Sequence, residues 1–410
     1  MPKVSYFYDG ATAQKHFGPG HPMKPQRLRL THELVLSFEI DRHMDVLQSR
    51  AASASELARF HTAEYIDFLE RVAPTHTGTV DNNPGSGMPS SHNATVDELA
   101  SRFNIGEHTD CPLFAGLFDF CRTSCGASID GAARLNAGEA DICINWSGGL
   151  HHAKKGEASG FCYANDIVLA ILELLRVHAR VLYIDIDIHH GDGVEEAFYC
   201  SNRVFTCSFH KFGDFFPGTG DLADCGAEEG LGYTANFPLK DGLDDTSFVQ
   251  CFRPVIQKIV DVYDPGAIVL QCGADSLAGD RLGVFDLSVK GHASAVEFCR
   301  ALGRPLLVLG GGGYTLNNVA RCWAYETALL AGVPIEDKIP RTDRFYDYYA
   351  PSHSLFALSL DRQARDDGHR DQNSNAYVTS VRDTILARLD EIKGPPSVAI
   401  QSVPPSLASS

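Results

Sequence analysis

The sequence predicts an α/β fold: a single domain with a mainly parallel sheet that is flanked by helices. Continuous apolar strand segments alternate with helical patterns, which is typical of parallel sheets covered on both faces. Five of these strands are followed by polar, glycine-rich segments, and ligands bind at that edge of open α/β sheets. The chain has 410 residues, 44% hydrophobic and 21% charged, enough for one large globular domain.

Each element of this prediction rests on a local pattern. The predicted strands are 3–8, 141–146, 181–188, 204–209, 267–272 and 305–309. The predicted helices are 27–38, 63–72, 121–135, 166–177, 248–263, 289–302, 317–330 and 378–393. Asn165 and Asp166 are N-cap candidates for the helix at 166. We divide the chain into a main domain (1–350), a polar and helical extension (351–393) and a disordered tail (394–410), which has four prolines.

Charge and cysteine usage exclude several classes of function. The net charge of −17 argues against direct nucleic-acid binding but is compatible with a basic partner, such as a Lys/Arg-rich peptide. The 12 cysteines form no C-x-x-C pair and follow no secretory leader, so we expect reduced thiols in a reducing compartment. No apolar run is long enough for a membrane span, and we expect no membrane association.

The stretch 181–193 carries the strongest chemical signal. Strand alternation places Asp185, Asp187 and His189 on one face, at the carboxyl end of a buried strand. Burying such groups without compensation is costly, and a divalent cation such as zinc would satisfy them. The alternative is an Asp–His hydrogen-bond network without a metal.

A third ligand must come from another strand end, and Asp275 in the segment Cys-Gly-Ala-Asp-Ser is the best placed candidate. Two carboxylates and one imidazole would neutralise a divalent cation and leave a position for an activated water. Alternatively, Asp275 caps the following turn.

Further candidates follow two other strands. The pair His151-His152 comes after two glycines and could manage protons, with Asp185 and Asp192 as orienting acids; a surface pair is the alternative. Gly310–Gly313 lets the backbone approach a ligand, and Tyr314 behind it could donate a hydrogen bond to an oxyanion. The residues alone thus predict a metal-dependent hydrolase of an amide or related bond.

Six ordered motifs resemble class I zinc-dependent histone deacetylases, over about residues 3–350. They are NWSGGLHHAKK (145–155), ASGFCYAND (158–166), YIDIDIHHGDG (183–193), FFPGTGD (215–221), SLAGDRLG (276–283) and LGGGGY (309–314). The resemblance implies the arginase/deacetylase fold, a deacetylase catalytic domain over 1–350, and hydrolysis of N-acetyl-lysine to lysine and acetate.

The resemblance also implies a role for individual residues. Zinc would be held by Asp187, His189 and Asp275. A catalytic tandem would be formed by His151, paired with Asp185, and His152, paired with Asp192. His152 would act as general base, and Tyr314 would polarise the carbonyl. The substrate tunnel would involve Gly160, Phe161, Phe216, Leu282 and Gly312, and Leu150 would border the inner cavity. One structural potassium ion would lie near Asp185, Asp187 and Ser208, and a second near Phe198, Ser201, Val204 and Tyr233.

The chain departs from the family pattern at three places. The loop from His76 to Asn93 is longer than usual. Asp110 matches the rim aspartate that grips the substrate backbone, but His108 and Thr109 precede it as extra residues. Lys24 and Arg281 match basic residues that bind inositol phosphate in corepressor-bound members, whereas Asn317 stands where an arginine is typical.

The expected partners are acetylated histone tails or other acetyl-lysine proteins, together with corepressor subunits, in the nucleus and, as a second compartment, the cytoplasm. Three alternatives remain open from the sequence. They are a deacetylase of polyamines or other small amides, an inactive scaffold of a repressor complex, and a manganese ureohydrolase, which the His151-His152 pair fits poorly.

Overall fold

A single parallel sheet organises the part of the chain that the computed structural model describes, residues 2–72, 98–359 and 370–396. Its strands are β1 (Val4–Tyr8), β2 (Asp45–Gln48), β3 (Ile142–Asn145), β4 (Val181–Asp185), β5 (Val204–Lys211), β6 (Thr234–Leu239), β7 (Ala267–Gln271) and β8 (Leu306–Leu309). They lie in the order β2-β1-β3-β8-β7-β4-β5-β6, and every neighbouring pair is parallel. All strands therefore present their carboxyl ends at one edge.

Helices cover both faces of this sheet. Those lying wholly within the described residues are α1 (Gln26–Ser37), α2 (Ala54–Leu57), α3 (Ala63–Val72), α4 (Leu117–Asn136), α5 (Asp166–Leu174), α6 (Asp192–Phe198), α7 (Asp245–Tyr263), α8 (Val289–Ala301), α9 (Leu316–Ala331) and α10 (Asn375–Asp390). None of the described helices is both long and apolar enough to cross a bilayer.

The two faces of β4 enter different apolar clusters. Ile184 packs in the cluster that contains Phe252 and Ile256 of α7, whereas Tyr183 packs in the cluster with Ile167 of α5. Truncating such a core side chain to alanine costs about 2–5 kcal/mol. Burial on both faces explains why β4 lacks the alternating polar pattern of a half-exposed strand.

The structure confirms the predicted fold class, and it corrects several element boundaries. The predicted strand over 181–188 ends at Asp185. The Ile186 N–H still donates to the Gln271 carbonyl of β7, but the Asp187 N–H donates to Asp185 Oδ1 and the Ile188 N–H to Asp275 Oδ1. Sequence reasoning missed β2, which is an exposed edge strand, and β6, which contains Pro238.

Helix ends also differ from the prediction. The helix that starts at Asp166 ends at Leu174 instead of residue 177, and Asn165 caps it by accepting the Val168 N–H. α10 ends at Asp390, and its Val378 is buried in the same cluster as the central strands. The predicted loop over 74–93 lies outside the described residues, as does the tail from residue 397.

Candidate metal centre

Asp187, His189 and Asp275 meet at the carboxyl edge of the sheet, just beyond β4 and β7. His189 Nδ1 lies 3.0 Å from Asp187 Oδ1 and 3.1 Å from Asp275 Oδ2, and all three side chains are buried. The three ligand atoms lie within 4.8 Å of one another. The structure thus brings together the three side chains that the sequence predicted as ligands.

Backbone packing leaves these carboxylates little freedom. The Gly312 N–H donates to Asp187 Oδ2 (2.8 Å), and Gln271 Nε2 donates to the same oxygen (2.9 Å). A Cβ on Gly273 would lie 2.0 Å from Asp187 Oδ2, and one on Gly312 would lie 1.9 Å from Asp275 Oδ2. Only glycine fits at these two positions, which are therefore part of the site.

The pKa values of His189 and Asp275 are strongly shifted, because the three side chains of the trio are buried together. Burial and the neighbouring Asp187 charge raise the pKa of the Asp275 carboxyl to about 7. Burial alone would lower the pKa of His189, but hydrogen bonds to Asp187 and Asp275 outweigh it and raise that pKa to about 10. Without a cation, the imidazole provides the positive charge that the two carboxylates require.

Two further Asp–His pairs lie beside this trio. His151 Nδ1 is 2.8 Å from Asp185 Oδ2, and His152 Nδ1 is 2.7 Å from Asp192 Oδ1, with all four side chains buried. The two imidazole centroids are 3.9 Å apart, and His151 Nε2 lies 3.8 Å from Asp187 Oδ2. The pairings match those predicted, and the surface-pair alternative is wrong.

The two histidines differ in their electrostatic surroundings. Burial lowers the pKa of His151, but the charges of Asp185 and Asp187 outweigh it and raise that pKa to about 9. Burial and the His151 charge lower the pKa of His152 to about 3. At neutral pH His152 is therefore the neutral member of the tandem, with an imidazole free to accept a proton.

Three residues that were not predicted as site residues, Asp166, His61 and Asn165, fix the loop of the tandem. Asp166 accepts the Gly149 and Leu150 N–H groups at 3.0 and 2.9 Å, so it serves this loop instead of capping α5. His61 Nε2 accepts the Asn165 N–H (2.9 Å), and Asn165 Nδ2 donates to the Ala153 carbonyl (2.9 Å). In the sequence, the feature that could have marked Asp166 as a site residue is an acidic residue within an apolar helical segment that follows a glycine-rich motif.

Two buried charges that sequence reasoning missed position the glycine-rich segment after β8. Arg27 of α1 donates to the Gly313 and Gly311 carbonyls at 2.8 and 2.5 Å, and Asp280 accepts the Tyr314 N–H at 2.7 Å. Arg27 lies in an ordinary helical pattern, so nothing local marks it. Tyr314 is itself buried, and burial raises the pKa of its phenol well above 10, so the hydroxyl keeps its proton.

Aromatic side chains surround the approach to this site. The ring of Phe216 lies 4.9 Å from that of His152, and the ring of Phe161 lies 5.8 Å from that of Tyr314. A Cβ on Gly160 would lie 2.5 Å from His152. Phe216 and Leu282 are 40% and 39% exposed, so both large apolar side chains lie partly at the surface.

The remaining predicted residues fall into separate places. Asp110 is exposed, and its carbonyl lies 3.3 Å from His21 Nε2. Lys24 and Arg281 line one cavity of about 380 Å³, together with Asn317, Tyr348 and Tyr314. Leu150 is buried in the apolar cluster that contains Tyr314.

The residues predicted around potassium lie on β4, β5 and their neighbours. Asp185 and Ser208 are register partners in the β4–β5 pair, next to Asp187. Phe198 is the last residue of α6, Ser201 lies in the connection to β5, and Val204 is the first residue of β5. The Tyr233 carbonyl accepts the Thr206 N–H at 3.1 Å.

A parallel sheet with a buried Asp–His–Asp set and two histidines at its carboxyl edge is typical of a metal-dependent hydrolase of the α/β class. Comparison with known proteins agrees. A family model described as the histone deacetylase domain matches residues 21–330.

Comparison with individual relatives gives the same result. Histone deacetylase 6 of Arabidopsis thaliana is 52% identical over 403 residues, which cover 98% of this chain and 80% of that protein. Type-1 histone deacetylase 1 of Dictyostelium discoideum is 50% identical, covering 98% and 76%, and histone deacetylase 1 of Homo sapiens is 48% identical, covering 98% and 78%. The chain belongs to the histone deacetylase family, as its motifs predicted, and it is therefore a hydrolase of the protein-lysine deacetylase class.

Proposed function

We propose that this chain hydrolyses N-acetyl-lysine in histone tails to lysine and acetate, with a zinc ion held by Asp187, His189 and Asp275. The observation that carries this proposal is the buried trio beside the His151–His152 tandem, at the foot of an aromatic approach. Membership of a zinc-dependent family supports the choice of metal.

The donor set fits zinc on chemical grounds. Two carboxylates balance a divalent charge, and one imidazole suits a borderline metal better than calcium or magnesium. The backbone at Gly273 and Gly312 packs directly on the carboxylates of Asp187 and Asp275, and this contact fixes the positions of both carboxylates. When bound, zinc would lower the pKa of a coordinated water and polarise the substrate carbonyl.

We assign the general base to His152. Its Nδ1 is bonded to Asp192, so Nε2 is the nitrogen that would face the reacting water. Lys154 Nζ lies 2.7 Å from the other Asp192 oxygen and holds that carboxylate in place. His151 carries the positive charge of the tandem and stabilises negative charge near Asp187.

We assign the polarising donor to Tyr314, because its backbone is fixed by Asp280 and its hydroxyl remains protonated. Donation to the developing oxyanion stabilises the transition state more than the ground state. Phe161 and Phe216 would pack against the apolar stem of lysine, Gly160 lets them approach, and Leu282 extends this wall at the rim. Gly312 would let the backbone approach the bound acetyl group, and Leu150 would border the cavity through which acetate leaves.

The substrate would be a basic acetylated tail. The net charge of −17 attracts such a peptide, and the exposed Asp110 at the rim offers a carboxylate to its backbone N–H groups. We propose that the chain acts in the nucleus, in chromatin and transcription regulation, and also in the cytoplasm. We further propose that residues 1–350 form the catalytic domain and 351–393 a polar and helical extension.

Two further ligand classes belong to this proposal. Lys24 and Arg281 would bind an inositol phosphate in their shared cavity and so favour corepressor docking, although Asn317 contributes no charge there. The buried oxygens of Asp185, Asp187 and Ser208 would hold one potassium ion. Oxygens of Phe198, Ser201, Val204 and Tyr233 would hold a second one.

The decisive experiment compares substrates with and without metal. Purified chain is stripped with a chelator, reloaded with zinc, and assayed on an acetylated histone peptide and on an acetylated polyamine. We expect turnover of the peptide to disappear on stripping and to return with zinc. Preference for the polyamine would establish the small-amide alternative, and absence of turnover with zinc bound would establish the inactive scaffold.

A further inference from the structure

A second buried cluster of chemistry-bearing side chains lies behind the metal centre. It consists of His292 on α8 with Cys322 and Glu326 on α9, all of them fully buried. His292 Nδ1 lies 2.6 Å from Glu326 Oε1 and 3.4 Å from Cys322 Sγ. These three residues have no role predicted from the sequence, and they take no part in the proposed mechanism.

The imidazole of His292 bridges two acceptors. Its Nε2 lies 3.0 Å from the Gly273 carbonyl oxygen, on the side opposite Glu326. A carbonyl only accepts and a carboxylate only accepts, so both ring nitrogens carry a proton and the ring is an imidazolium. The other Glu326 oxygen is buried and has no hydrogen-bond partner among the described residues, so this carboxylate depends on His292 for its compensation.

The distances argue against a second metal ion in this cluster. Two ligand atoms that share a tetrahedral zinc at about 2.0–2.1 Å each lie about 3.3–3.4 Å apart. His292 Nδ1 and Glu326 Oε1 are only 2.6 Å apart, clearly closer than the 3.0 and 3.1 Å from His189 Nδ1 to the two carboxylates of the proposed zinc site. That separation is one of a short, charge-assisted hydrogen bond.

The Gly273 carbonyl connects this ion pair to the metal ligands. Gly273 lies two residues before Asp275, and its Cα packs so closely on Asp187 that a Cβ would lie 2.0 Å from Asp187 Oδ2. Its N–H donates to Gln271 Oε1 (2.8 Å), and Gln271 in turn donates to Asp187. Ser276 Oγ also donates to the Gly273 carbonyl (3.1 Å). A shift of Gly273 would therefore move both carboxylates of the trio.

We propose that His292 and Glu326 are positioning residues of the metal centre: the buried ion pair holds the Gly273 carbonyl and thereby sets the separation of Asp187 and Asp275. This inference rests on the proposed zinc site and adds a support behind it. α9 contributes a second contact of the same kind, because Trp323 Nε1 donates to the Cys272 carbonyl at 2.9 Å.

The test is Glu326→Gln, which preserves shape and removes the charge. In this variant the introduced amide can donate to Nδ1 and the neutral ring can still donate from Nε2 to the Gly273 carbonyl, but this bond loses the positive charge that strengthens it. We expect zinc affinity, measured by competition with a chromophoric chelator, to fall about 10–100-fold, the usual effect of losing an outer support of a metal ligand. His292→Phe should weaken zinc binding at least as much, and the KM for acetyl-peptide at saturating zinc should stay unchanged in Glu326→Gln.

The matched control is Cys322→Ala. It removes a contact of the His292 ring, but it keeps the Glu326 carboxylate and the hydrogen bond from His292 to the Gly273 carbonyl. The zinc affinity of this variant should match that of the native chain. If His292→Phe does not fold, the isosteric Glu326→Gln carries the test. A Glu326→Gln protein with a lowered unfolding temperature but native zinc affinity would show a merely structural role and overturn the inference. Two zinc ions per native chain, one of them lost in Cys322→Ala, would overturn it as well.

Failure of the underlying site is distinguishable. If Asp187→Ala leaves zinc binding unchanged, the proposed zinc site itself is wrong. If Asp187→Ala abolishes binding and Glu326→Gln binds as the native chain does, only the role of the ion pair is wrong.

Discussion

Gly312 lies against Asp275 so closely that a Cβ at position 312 would be 1.9 Å from Asp275 Oδ2 and 3.1 Å from Asp187 Oδ2. The Gly312 N–H also donates to Asp187 Oδ2 at 2.8 Å. One backbone unit of the segment after β8 thus contacts carboxylates that follow β4 and β7. This contact requires a glycine for reasons of space, since both carboxylates are fixed by other hydrogen bonds.

Gly312→Ala should therefore displace Asp275 and weaken zinc binding. We expect a loss of about 10–100-fold in zinc affinity, as when a support of a metal ligand is removed, and a parallel loss of deacetylase activity at limiting zinc. Chelator competition measures the first and a peptide assay the second. Gly156→Ala is the control, because its Cβ would meet, among the described residues, only the Thr62 side chain at 3.7 Å. Equal zinc affinity in the two variants would contradict the contact.

His152→Ala should reduce kcat about 10²-fold or more, the scale of losing a general base. The zinc content should remain that of the native protein, since His152 is not in the ligand trio. The measurement is steady-state turnover of an acetyl-peptide beside metal analysis. His43→Ala, at an exposed histidine outside the site, serves as control. Retained turnover in His152→Ala would refute the assignment of the base.

Tyr314→Phe should reduce kcat by a similar factor of about 10² while the KM changes little, because the hydroxyl acts on the oxyanion and less on the bound substrate. Asp280 should keep the backbone of this variant in place, since it binds the Tyr314 N–H and not the phenol. The unfolding temperature of the variant should therefore stay near that of the native chain. An increase in KM alone would assign Tyr314 to substrate binding instead.

Of the eight strands in the described part of the chain, six could be predicted from the sequence, because these six are apolar and continuous. Sequence reasoning missed β2, whose residues are mostly exposed, and β6, whose Asn236 and Pro238 interrupt the apolar pattern. These two strands owe their pairing to their neighbours β1 and β5 and not to local propensity.

The same distinction holds at the site. The three candidate ligands and the histidine tandem stand in glycine-rich motifs, so their type and spacing mark them. Arg27, Asp280 and His292 act on backbone carbonyls and amides from distant positions in the chain. Such contacts depend on the packing of helices against the sheet edge, and no local pattern in one sequence encodes them.

Asn317→Arg should convert the cavity of Lys24 and Arg281 into a stronger anion site. A third cation there would add a charge-assisted contact worth about 1.5–3 kcal/mol, or roughly 10–100-fold in affinity. Titration with inositol hexakisphosphate by calorimetry measures the gain. Lys24→Ala should weaken binding in both backgrounds. The substitution also removes the bond from Asn317 Nδ2 to Ser359 Oγ (2.7 Å), so the unfolding temperature is measured in parallel. Unchanged affinity would show that position 317 does not face the ligand.

The stability of the chain should fall on mild acidification through His61. This buried imidazole accepts the Asn165 N–H at Nε2 (2.9 Å) and lies 3.2 Å from the Lys155 carbonyl at Nδ1, so it fits only as a neutral ring. Burial lowers its pKa from 6.5 to about 4. Above pH 6.5 the His61 ring is neutral in both the folded and the unfolded state, and its contribution to the free energy of unfolding is fully present. Between pH 6.5 and 4, His61 binds a proton in the unfolded state but stays neutral in the folded state, so the free energy of unfolding decreases as the pH falls.

The loss through this single group is on the order of 3 kcal/mol at pH 4. His61→Gln supplies a donor and an acceptor without a titrating group, so its free energy of unfolding should vary less between pH 6.5 and 4 than that of the native chain. Urea unfolding at several pH values measures this slope. His43→Gln, at an exposed position, should keep the native slope. If the slopes of His61→Gln and the native chain coincide, His61 is not the group that links acidification to the loop of the histidine tandem.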